Sequence, residues 1–163
     1  MKKLLLLTVV FVFAVSAAHA ASVSATGTAD AEIVAPISIE ETTPLNFGRW
    51  SSPTDASTVS VSAAASPTVG HTGSIQQVGG GTAASAAAFA VTNDGSLPYG
   101  AAVSDSSITI SDGNSHTMTV NGFSLSCTSS CTAATLYVGG TLNVGAGQAA
   151  GSYTGSFTVT LTY

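Results

Sequence analysis

Residues 152–163 read Ser-Tyr-Thr-Gly-Ser-Phe-Thr-Val-Thr-Leu-Thr-Tyr, and this stretch indicates the fold class of the chain. Every even-numbered position is Ser or Thr, whereas the odd-numbered positions are mostly large and apolar. A period of two is typical of a β-strand with one buried and one solvated face. At about 3.3 Å per residue, an unbroken strand of this length would span roughly 40 Å. We therefore expect a long structural strand here, with its hydroxyl groups in solvent.

A second alternating stretch runs from Val23 to Ile39, near the other end of the chain. Its odd-numbered positions are small or apolar, and its even-numbered positions are polar except for Val34 and Pro36. Pro36 has no N–H to donate, so it belongs on a sheet edge or at a bulge. The pattern predicts another long strand, followed by a turn over residues 40–44 and a short strand, Leu-Asn-Phe-Gly-Arg-Trp, over residues 45–50.

Shorter alternating runs fill the rest of the chain, and turn residues separate them. The predicted strands cover residues 58–64, 68–78, 86–92, 97–103, 107–111, 116–120 and 135–144. Asp112-Gly113-Asn114 and Asn121-Gly122 predict chain reversals, and Gly139-Gly140 predicts a kink or bulge. Nine or ten short strands at this spacing predict an all-β, immunoglobulin-like β-sandwich. The composition, rich in Ala, Ser, Thr and Gly, also suits a disordered chain, but the long alternating runs and the spaced aromatic residues argue against disorder.

The first twenty residues have the pattern of a secretory signal peptide. Lys2 and Lys3 precede an apolar run over residues 4–15, and Ala18-His19-Ala20 resembles a cleavage site. The apolar run is too short to span a bilayer as a helix. We therefore expect residues 1–20 to be removed and residues 21–163 to form a single exported domain. Its predicted location is the periplasm, the cell surface or the extracellular space.

Charge excludes several kinds of partner for the part of the chain that follows the predicted signal peptide. Arg49 is the only Lys or Arg there, against eight Asp and Glu residues, so the net charge is −7 with neutral histidines. One cation cannot follow a phosphate backbone or an anionic lipid surface. We expect no nucleic-acid partner and no membrane insertion after cleavage.

Cys127 and Cys131 are the only cysteines, four positions apart. An even number of cysteines in an exported chain favours a disulfide bond. So small a loop would act as a local clip on a hairpin tip or a strand-edge bulge. The alternative is a metal site with two thiolate ligands, but no further ligands cluster nearby in the sequence.

The sequence contains no recognisable catalytic pattern. His71 and His116 are the only histidines after the predicted signal peptide, and the G-x-S-x-G motif of a nucleophilic serine is absent. Glu40 and Glu41 would point to opposite faces of an extended chain, which makes them a poor acid–base pair. Asp112-Gly113-Asn114 lacks the remaining ligands of a calcium loop, so it is better explained as a turn. We expect no enzyme activity, no catalytic residue, no cofactor and no metal site.

Several segments together resemble a known family. They are the predicted signal peptide, Thr26-Gly27-Thr28, Leu45-Asn46-Phe47-Gly48, and the C-terminal run from Val138 to Tyr163. These segments resemble the bacterial domain-of-unknown-function family 4402, which is similar to the spore coat U domain of archaic chaperone–usher pilins. In such pilins the final strand leaves an immunoglobulin-like sandwich incomplete. A periplasmic chaperone supplies the missing strand first, and the N-terminal arm of the next subunit then replaces it.

The resemblance implies a role for residues at both ends of the chain. Pilins of this kind carry a glycine twelve residues before a near-terminal tyrosine, the separation of Gly151 and Tyr163 here. The implied subunit-interface strand contributes Gly151, Tyr153, Phe157, Val159, Leu161 and Tyr163. The implied donor arm lies within residues 21–39 and presents Val23, Ala25, Gly27, Ala29, Ala31 and Ile33. The alternative for this arm is that it forms the first strand of its own sandwich.

Two functions therefore stand as hypotheses. The first is a secreted structural or adhesive surface protein, a pilin-like subunit that assembles by strand complementation. Its expected partners are like subunits, as in a homopolymer, a periplasmic chaperone and an usher. The second is a self-complete extracellular binding module for carbohydrate or protein. In that module Trp50, Tyr99 or Tyr137 would form an exposed aromatic platform.

Overall fold

The computed structural model describes residues 22–95 and 97–163, so the predicted signal peptide lies outside the described residues. Within them the fold is all-β, with nine strands, no helix and antiparallel pairing throughout. The strands are β1 (Ser38–Thr43), β2 (Ser57–Val61), β3 (Val69–Thr72), β4 (Ala87–Thr92), β5 (Gly100–Val103), β6 (Ser107–Ser111), β7 (Thr117–Leu125), β8 (Thr135–Val144) and β9 (Val159–Thr162).

Strand β8 organises the larger sheet, which contains seven strands, while β5 and β9 pair separately. Val138 pairs with both Ala87 of β4 and Leu125 of β7. Leu142 pairs with both Val59 of β2 and Val120 of β7. Strand β7 therefore lies along one edge of β8, while β4 and β2 follow one another along the opposite edge. Strand β1 extends the sheet beyond β4, β3 extends it beyond β2, and β6 extends it beyond β7.

Gly139 lies where the partner of β8 changes from β4 to β2. A Cβ atom at this position would overlap the Val61 carbonyl oxygen and lie 2.7 Å from the Ala63 amide nitrogen. Both obstacles are backbone atoms, which cannot rotate away. The absence of a side chain thus allows the chain leaving β2 to cross close to β8. The predicted kink at Gly139-Gly140 corresponds to this change of partner.

The first hydrophobic cluster, here the closed core, lies between the two sheets in a sandwich-like arrangement. Strands β4 and β8 contribute buried side chains from one side, and Ala101 of β5 and the preceding residue Tyr99 contribute from the other. Val159 and Leu161 of β9 pack against the same cluster. Its fully buried members include Ala87, Tyr99, Leu136 and Val138. Because a sheet covers these side chains on each side, their removal from water is the main source of stability for this half of the domain.

The predicted disulfide bond is confirmed. Cys127 and Cys131 are bonded, with their Cα atoms 5.9 Å apart, in the connection between β7 and β8. The backbone of Cys131 exchanges two hydrogen bonds with Tyr99, and the Cys131 side chain is buried in the closed core. The clip therefore anchors this connection beside the start of β5.

The long N-terminal strand predicted over residues 23–39 is wrong for most of its length. The chain divides into two units at residue 33, and the described residues of the first, 22–32, are exposed and form no strand. The first strand begins only at Ser38, where Ile37 and Ile39 start to pack against the closed core. The predicted turn over residues 40–44 is also wrong, because β1 occupies residues 38–43. The alternative that this arm is the first strand of its own sandwich fails for residues 22–37.

Three further local predictions need correction. Residues 152–163 form a strand only over Val159–Thr162, with an isolated bridge from Thr154 to Ser111. Residues 45–50 form isolated bridges at Asn46 and Trp50 instead of a strand. Asn121-Gly122 is no reversal, because it lies inside β7, where the pairing with β8 shifts register.

Candidate functional site: an open apolar groove

The second hydrophobic cluster, here the open core, forms the floor of a surface groove of about 970 Å³. Strands β6, β7 and β8 each present apolar side chains to it. The six floor residues are Ile108, Ile110, Met118, Val120, Leu142 and Val144. Ile108 and Met118 are half-buried, whereas Val120 and Leu142 are buried. A cleft of this size with an apolar floor can bind another apolar surface.

Two irregular segments form the walls of the groove, residues 44–52 on one side and residues 148–157 on the other. Phe47 and Trp50 of the first wall and Tyr153 of the second pack against the open core. The walls are joined at one end, where the Ser52 hydroxyl donates a hydrogen bond of 2.8 Å to the Gln148 carbonyl oxygen. The Gly147 N–H donates to the Pro53 carbonyl oxygen at 2.7 Å beside it. The chain of the first wall therefore runs toward this joined end, and that of the second wall runs away from it, so the two walls are antiparallel.

The local sequence explains the shape of the first wall. Gly48 has φ +85°, a left-handed conformation that favours glycine. The turn at Gly48 is supported by its N–H, which donates to the Asn46 side-chain oxygen at 2.7 Å. The Trp50 indole Nε1 donates to the Phe47 carbonyl oxygen at 2.6 Å. These contacts direct both aromatic rings onto the open core and leave Arg49 exposed.

The second wall lies against strand β6 through a single residue. Thr154 exchanges two backbone hydrogen bonds of 2.9 Å with Ser111. A Cβ atom on Gly155 would lie 2.8 Å from both the Ile110 Cγ2 atom and the Thr109 carbonyl oxygen, so glycine permits this close approach. In an extended chain, backbone groups alternate in direction. Those of Tyr153 and Gly155 therefore point away from β6.

Strand β9 has one unpaired edge within the described residues. It pairs with β5, and the Ser104 N–H donates to the Thr158 carbonyl oxygen at 3.0 Å. Because backbone groups alternate along a strand, Thr158, Thr160 and Thr162 direct theirs toward β5. Val159 and Leu161 direct theirs outward, where no strand of residues 22–95 or 97–163 pairs with them. Such an edge can accept a strand from another chain.

Phe157 marks the boundary between the two cores. Its ring lies 5.1 Å from that of Phe123 and 6.2 Å from that of Phe89, measured between centroids. It packs against the closed core and also lines the groove. The segment that follows Phe157 pairs with β5, whereas the segment that precedes it borders the open core.

The structure brings most of the predicted interface residues to one path. Gly151, Tyr153 and Phe157 line the groove, and Val159 and Leu161 continue along β9. Tyr163 is half exposed, and its hydroxyl donates to the Ala35 carbonyl oxygen at 2.9 Å. Residues 44–52, which form the opposite wall, carried no sequence signal for this role, because only tertiary packing places them there.

The predicted donor-arm residues belong to the exposed N-terminal segment. Val23, Ala25, Gly27, Ala29, Ala31 and Ile33 are all exposed. The exposed fraction is 94% for Val23 and 96% for Ile33.

The aromatic platform of the alternative hypothesis is wrong for Tyr99. This side chain is 1% exposed, and its hydroxyl donates to the Ala133 carbonyl oxygen at 2.7 Å. Burial also raises the pKa of the Tyr99 hydroxyl. Trp50 and Tyr137 are half-buried, and Trp50 faces the His71 ring at a centroid distance of 5.3 Å.

Asp112 and His116 form a short hydrogen-bonded network at the tip of the β6–β7 hairpin. The Asp112 carboxylate lies 2.8 Å from the His116 Nδ1 atom and accepts hydrogen bonds from the backbone N–H groups of Asn114 and His116. The hydrogen bond from His116 is the main cause that lowers the pKa of Asp112. These contacts hold the predicted turn at residues 112–114, which adjoins Gly151 of the second wall.

The described residues contain no group of three or more His, Cys, Asp and Glu side chains arranged to hold a metal ion. Across residues 22–95 and 97–163, the fold has no helix with the length and apolar character needed to cross a bilayer.

Fold and groove together define an antiparallel all-β domain with one enclosed core and one core open to solvent. Residues 37–163 match the family described as Domain of unknown function (DUF4402), and the chain therefore belongs to that family. The exposed arm precedes the matched residues. No curated protein and no solved structure matches the chain.

Proposed function

We propose that this protein is an exported, pilin-like structural or adhesive subunit that assembles by accepting an extended strand from a like subunit. The observation that carries the proposal is the open groove of about 970 Å³ over the open core. An incoming strand would cover half-buried floor side chains such as Ile108 and Met118 and would pair with the outward backbone groups of the second wall. Pairing of this kind is β-augmentation, in which backbone hydrogen bonds supply affinity and side-chain pockets supply specificity.

Residues 22–33 of a neighbouring copy are the proposed donor. Fully extended, these residues span about 40 Å, whereas the ten residues of the second wall span at most about 33 Å. The arm is therefore long enough to fill the groove. Its small residues, Gly27 and Ala29 among them, permit close approach to a narrow floor. Its exposure leaves it accessible to a second copy.

Further parts of the proposal follow from the pilin resemblance. Export would use residues 1–20 as a signal peptide, and the disulfide bond fits an oxidising compartment. A periplasmic chaperone would occupy the groove before the next subunit does, and an usher would guide assembly. The assembled product would lie at the cell surface.

Gel electrophoresis of the protein sheared from native cells tests the proposal. Strand-complemented polymers resist detergent until heated, so the unheated sample should give a ladder that collapses to a monomer band on boiling. Deletion of residues 23–31 should abolish the ladder without unfolding the subunit, because these residues are exposed. A monomer band in both lanes, from a protein that is exported, would contradict the proposal.

Matched substitutions within the arm test which face is inserted. Ala25→Asp, Ala29→Asp and Ala31→Asp together place carboxylates on the face predicted to enter the apolar groove, and we expect the ladder to disappear. Ser24→Asp, Thr26→Asp and Thr28→Asp add the same charge to the opposite face and should leave it intact. Equal effects of the two triple substitutions would exclude insertion of the arm by this face.

A further inference from the structure

One positive charge lies on the groove, and it is isolated. Arg49 is the only Lys or Arg in residues 22–163. It lines the groove from the first wall, its side chain is exposed, and it forms no ion pair with any residue of the described ranges 22–95 and 97–163. Phe47 and Trp50, on either side of it, pack against the open core instead. The guanidinium is therefore available at the rim of the groove, without an anionic partner among the described residues.

The proposed donor arm carries two negative charges on the matching side. Asp30 and Glu32 are its only charged residues, and both occupy even-numbered positions. A strand whose odd-numbered face lies on the groove floor holds its even-numbered side chains toward solvent. Asp30 and Glu32 of a donated arm would then lie on the same side as Arg49.

Direction of insertion brings these charges to the same end of the groove. Arg49 lies three residues from Ser52, which joins the first wall to Gln148. Antiparallel pairs are the commoner arrangement of neighbouring strands. An arm antiparallel to residues 153–157 would have its later residues, Asp30 and Glu32, nearest the joined end, and the opposite direction would place them at the far end.

The apolar face of the arm defines its register only weakly. Its central residues, Ala25, Gly27, Ala29 and Ala31, are so similar in size that a shift by two positions presents nearly the same face to the floor. Such a shift moves every side chain by about 6.6 Å, more than an ion pair can tolerate. Because Asp30 and Glu32 are themselves two positions apart, such a shift leaves only one of them beside Arg49, so the charged residues, unlike the small ones, favour one register.

We propose that Arg49 of one subunit pairs with Asp30 and Glu32 of the neighbouring subunit's arm, and that this contact sets the direction and register of the donated strand. This inference rests on the proposed function, and it names the residues that would make strand donation specific. Rim charges at an interface act mainly on the association rate and on the choice of partner geometry.

A charge exchange within one chain tests the inference. Arg49→Glu, or Asp30→Arg with Glu32→Arg, should slow ladder formation by the purified protein about five-fold at low salt. The triple variant that combines them restores opposite charges and should recover a rate within about two-fold of wild type. High salt should slow wild-type assembly and leave an Arg49→Gln variant nearly unchanged.

Two controls separate this effect from general charge and from misfolding. Glu40→Arg with Glu41→Arg changes the net charge by the same amount as Asp30→Arg with Glu32→Arg, but on exposed positions of β1, and it should not reproduce the pattern of loss and recovery. Because Arg49 is exposed, its variants should unfold at the wild-type urea concentration. A wild-type ladder with no rate change in the Arg49 variant, or no recovery in the triple variant, would overturn the inference alone. Absence of a wild-type ladder would overturn the proposed function together with it.

Discussion

The closed core and the open core share strand β8 but differ in what lies above them. The closed core has a sheet on each side, β4 and β8 below and β5 and β9 above. The open core has β6, β7 and β8 below, and the two walls border the groove above it. Leu136 in the first is 1% exposed, whereas Met118 in the second remains half-buried. Part of the open core therefore remains accessible at the groove, and the proposal that a donated strand covers it rests on this difference.

The largest expected effect comes from the residue where the two cores meet on β8. Gly139→Ala places a methyl group against backbone atoms of residues 61–63, and steric overlap of this kind costs about 3 kcal/mol or more. We expect the variant to lose most of its stability, measured by urea denaturation. Gly79→Ala is the control for the loss of a glycine, because open space surrounds that position and its φ is not positive. A Gly139 variant as stable as wild type would contradict the crossing described for β2 and β8.

Truncation of one side chain in each core tests the comparison directly. Leu136→Ala removes a fully buried side chain, and we expect a loss of about 3 kcal/mol of unfolding free energy. Met118→Ala removes a half-buried one, and we expect about 1 kcal/mol in the isolated subunit. In assembled material the difference between the two losses of unfolding free energy should be smaller, because a donated strand would bury Met118. Equal losses in the isolated subunit would show that the open core is no more open than the closed one.

The disulfide bond lies at the closed core, and its removal should cost less unfolding free energy than truncation of Leu136. Replacement of Cys127 and Cys131 by Ser removes a short covalent loop, worth about 2 kcal/mol on the chain-entropy estimate. Comparison of urea midpoints for the double variant and wild type measures it. The groove side chains lie in the other core, so the variant should retain ladder formation. Loss of assembly at full stability would connect the clip to the groove.

The smallest expected effect concerns pH at the tip of the hairpin beside the second wall. The hydrogen bond from His116 holds the pKa of Asp112 below its ordinary value near 3.8, so the ionised form is favoured in the folded state. The resulting stabilisation is present above that ordinary value and is lost as the pH falls through the lowered pKa. We expect Asp112→Asn to be less stable than wild type at neutral pH, and the gap between their urea midpoints to close below about pH 4.

An Asp30→Asn variant is the control for this measurement, because it makes the same chemical change on the exposed arm. It should follow the wild-type midpoint across the pH range. An Asp112→Asn variant that also follows wild type at every pH would exclude a stabilising role for the pair.

Local sequence was sufficient to predict strands that pair with the next strand along the chain. The β6–β7 hairpin follows from alternation on both sides of Asp112-Gly113-Asn114, and β8 follows from its bounding turns and its central glycines. The chain reversal predicted at Asn121-Gly122 is wrong, because β7 continues past it to pair with β8. Gly122 lies at the bulge in this pairing and has φ +58°. Tertiary pairing thus determined the conformation of a dipeptide that favours a turn in isolation.

The N-terminal arm shows a different limit of sequence patterns. Its alternation is as regular as that of residues 152–163, yet its apolar face consists largely of Ala and Gly, which bury little area. The alternation of polar and apolar residues indicates which face of a strand can be buried, but it does not indicate whether another part of the protein is present to cover that face. The groove was likewise hidden, because its first wall, its floor and its second wall come from three distant parts of the chain.

The isolated Arg49 has a practical consequence for biochemical probing. Trypsin cleaves after Lys and Arg, so residues 22–163 offer it a single position, on an exposed side chain at the rim of the groove. One cut would separate the arm and β1 from the remaining strands. A strand seated in the groove would shield this bond, so the yield of the two fragments would measure the fraction of subunits whose groove is filled.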